Sequence, residues 1–340
     1  MNPHADKMAG GLGTQIMLAV LLLAGFLSVP MWANQGVIFL AGVALVQIVF
    51  ALSFNVIFGL TGMVSFGHAA YFAIGAYACG LLLRETSASI FIGLAAGGFV
   101  GGVLAVTIGL VALRRSSGNY FAILTLAFAE MLHILIAKTP WFGREDGLTG
   151  IKRPAIHVLG IGSFELTQGD NIFYFTLAAA AVFTLGAWVL WHCKFGRRLA
   201  AVRQEPDRAV FLGIDVHRAR LTAFTFSGVG AGFAGALYAP LAQLLTPEVG
   251  QWHFSALPIL FCLLGGTAIF WGPVAGVLVF LGLEHATRNI IGLSETVIGA
   301  TLLLVVLAFP GGLAGGLVLL RQMWRHKPAS SSAMVQEEQV

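Results

Sequence analysis

Charge is what this sequence has least of. Lys, Arg, Asp and Glu together make up 10% of its 340 residues, while hydrophobic residues reach 58% and the mean hydropathy is +0.87. Soluble domains carry about 25% charged residues, so this chain cannot cover itself with a polar surface. From Met8 to Leu83 there is no charged side chain at all, and at about 20 residues per crossing that stretch holds three membrane spans. Cysteine is also scarce. Cys79, Cys193 and Cys262 lie in or beside apolar runs without C-x-x-C spacing, which speaks against a disulfide frame or a zinc site and for apolar packing. No G-x-x-x-x-G-K-[ST], H-E-x-x-H or G-x-S-x-G occurs, so the chain carries neither a P-loop ATPase nor the hydrolase motifs that would mark it as an enzyme. Its nine histidines are scattered without metal-ligand spacing.

What is abundant is continuous apolar sequence and glycine. Stretches such as 18–27 are apolar without alternation, which excludes a β-barrel and predicts an all-α, polytopic transmembrane helical bundle. The 43 glycines suit close approach of helices in lipid. Apolar runs mark spans near 15–33, 37–60, 64–83, 88–113, 118–138, 171–193, 221–244, 254–270, 272–287 and 294–310. The expectation is about 8–10 spans with broken or re-entrant helices, because 61–68 and 254–287 are short for what they must cross. The first run follows only Lys7 and lacks a clean small-x-small site before Trp32, so it reads as a retained span rather than a cleaved signal.

Loop charge sets the orientation. Segment 194–220 holds seven Lys/Arg against three acids, and 139–170 holds three against four. The first is expected in the cytoplasm and the second in the periplasm. Arg114, Arg115, Arg321, Arg325 and Lys327, with both termini, then fall on the cytoplasmic side of a bacterial inner membrane. The chain reads as one transmembrane domain over 1–325, with a disordered cytoplasmic tail over 326–340. The pI near 9.1 follows from this topology, so nucleic acid is not expected as a partner.

Three places carry polar residues that membrane burial makes costly. Gly62, Ser65, Gly67 and His68 mark a break before one apolar helix. Gly266, Gly272 and Pro273 mark another, a weak internal echo of the kind found in two-halved transporters. Both breaks are candidate parts of a translocation path, although His68 and Ser65 could equally cap a helix start. Glu130 and His133, at i and i+3, share one helix face. They read either as path or gate residues or as a hydrogen-bond node between helices.

In 197–212, apolar and charged residues interleave around Pro206, which suits a first helical turn, and Gly213 suits a helix end. Such an amphipathic piece outside the bilayer needs a partner for its apolar face, unless it is simply a solvated basic loop.

The run GRRLAAVRQEPDRAVFLGIDVHRARLTAFTFSGVGAGFAGALYA resembles the cytoplasmic loop and following helix of branched-chain amino acid ABC transporter permeases. Segments 59–78, 119–132, 144–151, 264–278 and 309–317 resemble the same family in the same order. The resemblance implies a non-catalytic, membrane-spanning permease subunit of an importer. It would move branched-chain amino acids or a related small polar solute inward. Its implied partners are two ATP-binding subunits, a homologous second permease and a periplasmic solute-binding protein. ATP and magnesium would bind the ATPase subunits, leaving no cofactor and no metal in this chain. The loop would act as the ATPase-coupling segment through Arg197, Arg203, Glu205, Ala209 and Gly213. His133 stands where the family commonly has Arg, Arg208 where it often has a second acid, and Ile269 where Ser is common. The alternative is a secondary transporter or channel for a small solute such as urea or an amide, which would need intramembrane coupling carboxylates. Glu130, with Glu284 and Glu295 nearer a span end, is what the chain offers for that.

Overall fold

The computed structural model describes residues 12–115, 118–158, 162–287, 294–308, 311–313 and 315. The expected tail 326–340, the basic group at 321–327, Lys7 and both termini lie outside them. Among the described residues there are twelve α-helices. They are α1 (Leu12–Trp32), α2 (Gln35–Thr61), α3 (His68–Glu85), α4 (Ile90–Arg115), α5 (Asn119–Lys138), α6 (Gly169–His192), α7 (Lys194–Gln204), α8 (Pro206–Phe211), α9 (Val216–Ala242), α10 (Trp252–Gly265), α11 (Gly272–Thr287) and α12 (Ser294–Ala308). Ten of them coincide with the ten apolar runs. Apolar content is the signal because a span must hide every backbone polar group inside its own helix.

Length divides the ten. α1, α2, α4, α5, α6 and α9 are long and apolar enough to cross a membrane. α10 and α11 have 14 and 16 residues, or about 21 and 24 Å at 1.5 Å per residue. The run 254–270 is not one helix: α10 stops at Gly265, and residues 266–271 form a turn before α11. Gly266 sits at φ +103 and Gly62, just after α2, at φ +73. Both breaks therefore begin on a residue whose backbone a side chain would strain. The chain then re-enters helix at His68 and at Gly272. A two-stranded antiparallel hairpin, β1 (Ile156–Val158) with β2 (Gly162–Phe164), is a small addition to the all-helical expectation. It lies within the loop between α5 and α6.

The core is built on α2 and α9. Most of α2 from Ala44 to Thr61 is buried. α9 packs against α3 and α4 through glycine. A Cβ on Gly75 of α3 would collide with the Gly232 carbonyl, and one on Gly101 of α4 would stand 2.7 Å from that of Gly228. Backbones this close gain dispersion contacts where no hydrophobic drive exists between helices. α1 is the opposite case, with Val20, Leu21 and Met31 exposed.

α6, about 36 Å long over its 24 residues, joins the 139–168 loop to α7. It thereby separates a loop end of the bundle from an α7 end.

A candidate translocation path and its two fastenings

At the α7 end, Leu199 and Val202 are buried, fixing the apolar face of α7 against the bundle. Gly196 lies against the Leu190 and Trp191 carbonyls, where a side chain would collide. Arg203 remains partly open to solvent, but its Nη1 donates to the Gly59 carbonyl near the end of α2, and its stem lies over Gly62. Partial burial pulls the Arg203 pKa down, though a guanidinium stays charged in any protein setting. The bond satisfies one of the carbonyls left open at a helix C-terminus, where positive charge is favoured.

Gly59 also lies where a Cβ would stand 2.8 Å from the Thr267 carbonyl and 2.8 Å from the Trp191 ring. The end of α2, the end of α6, α7 and the 266–271 turn thus converge. Gly272 donates to Ile269 at 3.0 Å to close that turn, and Pro273 starts α11, where its missing N–H costs nothing.

α8 begins with Pro206 in its first turn and ends by two reversed bonds. Ile214 N donates to Ala209 O at 3.0 Å and Gly213 N to Val210 O at 2.9 Å, with Gly213 at φ +77. This is the helix stop expected of Gly213. Ala209 is buried, while Arg197 is exposed and Glu205 pairs with Arg208 at 2.8 Å on the surface. The apolar face expected of this piece is present on α8 and is unpartnered among the described residues. Val210, Phe211 and Leu212 are an exposed apolar knob, with Phe211 90% open.

The 62–67 break and the start of α3 are held by two neighbouring helices and by one bond of the break's own. Phe66 N donates to Thr125 Oγ1 at 3.2 Å, Gly67 N to Ser65 Oγ at 3.2 Å, and Ala69 N to Ser255 Oγ at 2.8 Å. Since Gly67 offers no capping side chain to α3, Ser255 of α10 serves from across the bundle. His68 is fully buried and meets Ser227 Oγ at 2.7 Å through Nε2. Ser227 in turn donates to the Ser53 carbonyl at 2.6 Å. A hydroxyl has one proton to give, so this network assigns the histidine proton to Nε2. Phe54, Tyr71 and Phe224 surround the ring edge-on. His68 is thus built into the bundle as a link between α2, α3 and α9. Ser227, Ser255 and Thr125 were not singled out from sequence, since isolated hydroxyls in apolar helices carry no local signal.

Glu130 and His133 do share a face, and both reach the segment between α9 and α10. Glu130 Oε1 accepts from Trp252 N at 2.9 Å, capping α10. His133 Nδ1 donates to the Pro247 carbonyl at 3.0 Å. His133 is thus held by a backbone carbonyl, and Glu130 is balanced by a helix N-terminus rather than by a cation.

At the loop end, Leu148 and Leu245 exchange backbone bonds of 2.8 and 3.0 Å, and Tyr77 Oη donates to the Leu245 carbonyl at 3.0 Å. Arg153 closes the C-terminus of α9, its Nε donating to Pro240 O at 2.8 Å and Nη2 to Leu241 O at 3.0 Å. Burial lowers its pKa as well. Among the described residues no group of three His, Cys, Asp or Glu side chains could hold a metal.

A family model described as the permease component of the branched-chain amino acid transport system matches residues 36–307. The chain belongs to that family. The permease is 27% identical to the high-affinity branched-chain amino acid transport system permease protein LivM of Escherichia coli K12. That match runs over 316 residues, 87% of this chain and 74% of the relative. It is 29% identical to the autoinducer 2 import system permease protein LsrC of Klebsiella pneumoniae, over 58% of this chain and 52% of that one. It is 25% identical to the galactose/methyl galactoside import permease protein MglC of Salmonella typhimurium, over 57% and 56%. No solved structure matches it. It is a multi-pass membrane protein and a non-catalytic permease subunit of an ABC importer, a class that works with separate ATPase and solute-binding partners.

Proposed function

We propose that this permease translocates branched-chain amino acids, or a closely related small polar solute, inward across the bacterial inner membrane. Two ATP-binding subunits drive it, a homologous second permease completes it, and a periplasmic binding protein delivers the solute. ATP and magnesium reside in the ATPase subunits. The observation that carries this reading is the α7–α8 segment, whose buried side is bolted to the end of α2 while its other side offers Phe211 to a partner.

The mechanism follows from those contacts. Residues 194–220 lie in the cytoplasm and 139–170 in the periplasm, with both termini inside, a topology that the loop charge count supports. Closure of the ATPase dimer displaces α8 through its apolar knob. α7 moves with it, and the Arg203 guanidinium transmits the displacement to the Gly59 carbonyl and the Gly62 turn. From there it reaches the 62–67 break and, through Gly59, the 266–271 turn. Gly62, Ser65, Gly67, His68, Gly266, Gly272 and Pro273 thus form the hinge side of the path, and Glu130 with His133 the side that holds the entry of α10. A solute delivered by a binding protein needs only weak sites within the membrane, which suits a wall of backbone and single side chains. The longer coverage of LivM, beside the shorter matches to LsrC and MglC, favours the amino-acid solute.

The test is reconstitution of the permease with its second permease and ATPase subunits in liposomes. ATP-dependent uptake of labelled leucine, stimulated by the binding protein, is expected. Uptake that follows an imposed ion gradient without any ATPase subunit would rule the reading out.

A further inference from the structure

The depth of the Thr246–His253 segment within the bundle has a consequence for what faces it. Glu130 is the twelfth residue of the 20-residue α5, about 17 Å from its start and 12 Å from its end at 1.5 Å per residue. Its bond to Trp252 N places the start of α10 at that same mid-membrane level. The His133 bond to Pro247 O places Pro247 about 8 Å inside the loop end of α5 by the same rise. Between these levels the backbone is a short 3-10 turn, Pro247–Gly250, with no long helix to hide it. Along it Glu248 and His253 are exposed, Gln251 and Glu130 are half-buried, and Trp252 is 57% open.

Lipid does not tolerate such a surface. Irregular backbone and ionisable side chains persist at membrane depth only against protein or beside water. The other exposed faces are of a different kind: Val182 of α6 and Phe99 of α4 are apolar residues on continuous helices. Apolar faces of that kind suit lipid. We infer that Glu130, Glu248, Gln251, Trp252 and His253 form one wall of a water-filled chamber at the contact with the second permease, along which the solute passes. The breaks at 62–67 and 266–271 lie nearer the α7 end and serve as hinges of this wall. For the second permease this rests on the proposed importer reading, while the water-filled wall rests on the membrane depth alone.

The experiment is cysteine labelling in membranes holding the assembled transporter. His253→Cys and Glu248→Cys are made in a Cys193→Ser background, with Cys79 and Cys262 left in place because both are buried. A charged, membrane-impermeant methanethiosulfonate needs a thiolate, which forms only where water reaches. Reaction at 253 and 248 at least about tenfold faster than at Val182→Cys or Phe99→Cys is expected on that ground. A short bis-maleimide is expected to link position 253 to the second permease. Rates at 253 and 248 equal to the two controls, or preferential reaction there with a maleimide carried on lipid, overturn the chamber. Aqueous labelling without the cross-link overturns the second permease as its other wall. Should His253→Cys fail to insert, Gln251→Cys carries the same measurement. Labelling requires no transport, so a permease that moves some other solute still gives the expected pattern.

Discussion

The two ends of the bundle are fastened in opposite ways. At the loop end the fastening is multiple. Arg153 binds two carbonyls of α9, Leu148 and Leu245 exchange two backbone bonds, Tyr77 adds a third to Leu245, and Gln243 reaches the Ile151 carbonyl. At the α7 end, α7 and α8 rest on a few apolar side chains and one guanidinium, Arg203 on Gly59. Neutral hydrogen bonds contribute about 0.5–1.5 kcal/mol each and charged ones about 1.5–3. The loop-end set is therefore the stiffer fastening, a clamp, and the α7-end set the weaker one, a joint. On the proposed reading, with the ATPase subunits on the α7 side, force enters where the chain is held by few contacts and is resisted where it is held by many.

The largest effect is expected from breaking the joint. Arg203→Glu replaces a donor at a helix C-terminus with a charge that the carbonyls and the macrodipole both repel. ATP-driven uptake should fall to background, while membrane insertion, read by fractionation and protease protection, is unchanged. Gly213→Pro should do the same. A proline there has no N–H for the Val210 carbonyl and cannot adopt the positive φ that Gly213 holds. Normal uptake in both variants would remove α7–α8 from the coupling step.

Next comes the clamp. Arg153→Ala leaves the Pro240 and Leu241 carbonyls without their charged partner and is expected to destabilise the detergent-solubilised permease by about 1–3 kcal/mol, measured by thermal unfolding. Arg153→Lys should recover only part of this, because a single ammonium cannot reproduce the fork that meets two carbonyls. An Arg153→Ala permease as stable as the parent, yet inactive, would mean that the loop end is the moving part and the comparison is inverted.

How much of this could be read from the chain depends on whether the signal is local. The ten apolar helices were legible because a membrane demands continuous apolar sequence, and the break at 62–67 because Gly62, Ser65 and Gly67 interrupt it. The stop at Gly213 was legible for another reason, that glycine adopts the positive φ which ends a helix. The descent of residues 246–252 to mid-depth was not. Thr246, Pro247 and Gly250 announce a loop, but only the bonds from His133 and Glu130, more than 110 residues away, show that this loop lies inside the bundle. Arg153 was equally silent. In the sequence it is one of three cations beside four acids, and its role is written in carbonyls 87 and 88 residues further on. Glu130 was legible as costly, yet its partner is a backbone N–H, which no side-chain pattern records.

A smaller effect sharpens the picture of the joint from its outer side. Phe211 is 90% exposed and supports little of the permease's own fold, so Phe211→Ala should change stability by less than about 0.5 kcal/mol. Its weight lies in the partner. Buried aromatic anchors at interfaces commonly cost more than about 1–2 kcal/mol on truncation, so ATPase subunits should dissociate roughly tenfold more readily. Surface plasmon resonance or co-purification in graded salt reads this directly. Retained ATPase affinity would shift the docking surface to the exposed basic face of α7.

The smallest effect tests whether α8 needs internal stiffness to act as a lever. Glu205 and Arg208 pair at 2.8 Å, but both side chains are more than half exposed, and solvent-exposed pairs contribute about 0–1 kcal/mol. The bond also spans the start of α8, where Glu205 precedes Pro206 and already favours the helix dipole without any cation. Arg208→Gln should therefore leave both ATPase affinity and uptake within about twofold of the parent, a difference of under 0.5 kcal/mol. Arg203 and Arg208 lie five residues apart with the same charge, yet one is bonded to the end of α2 and the other pairs on the surface with Glu205. If Arg208→Gln were as damaging as Arg203→Glu, net basic charge on the loop, rather than the single bond to Gly59, would be what couples ATP to transport.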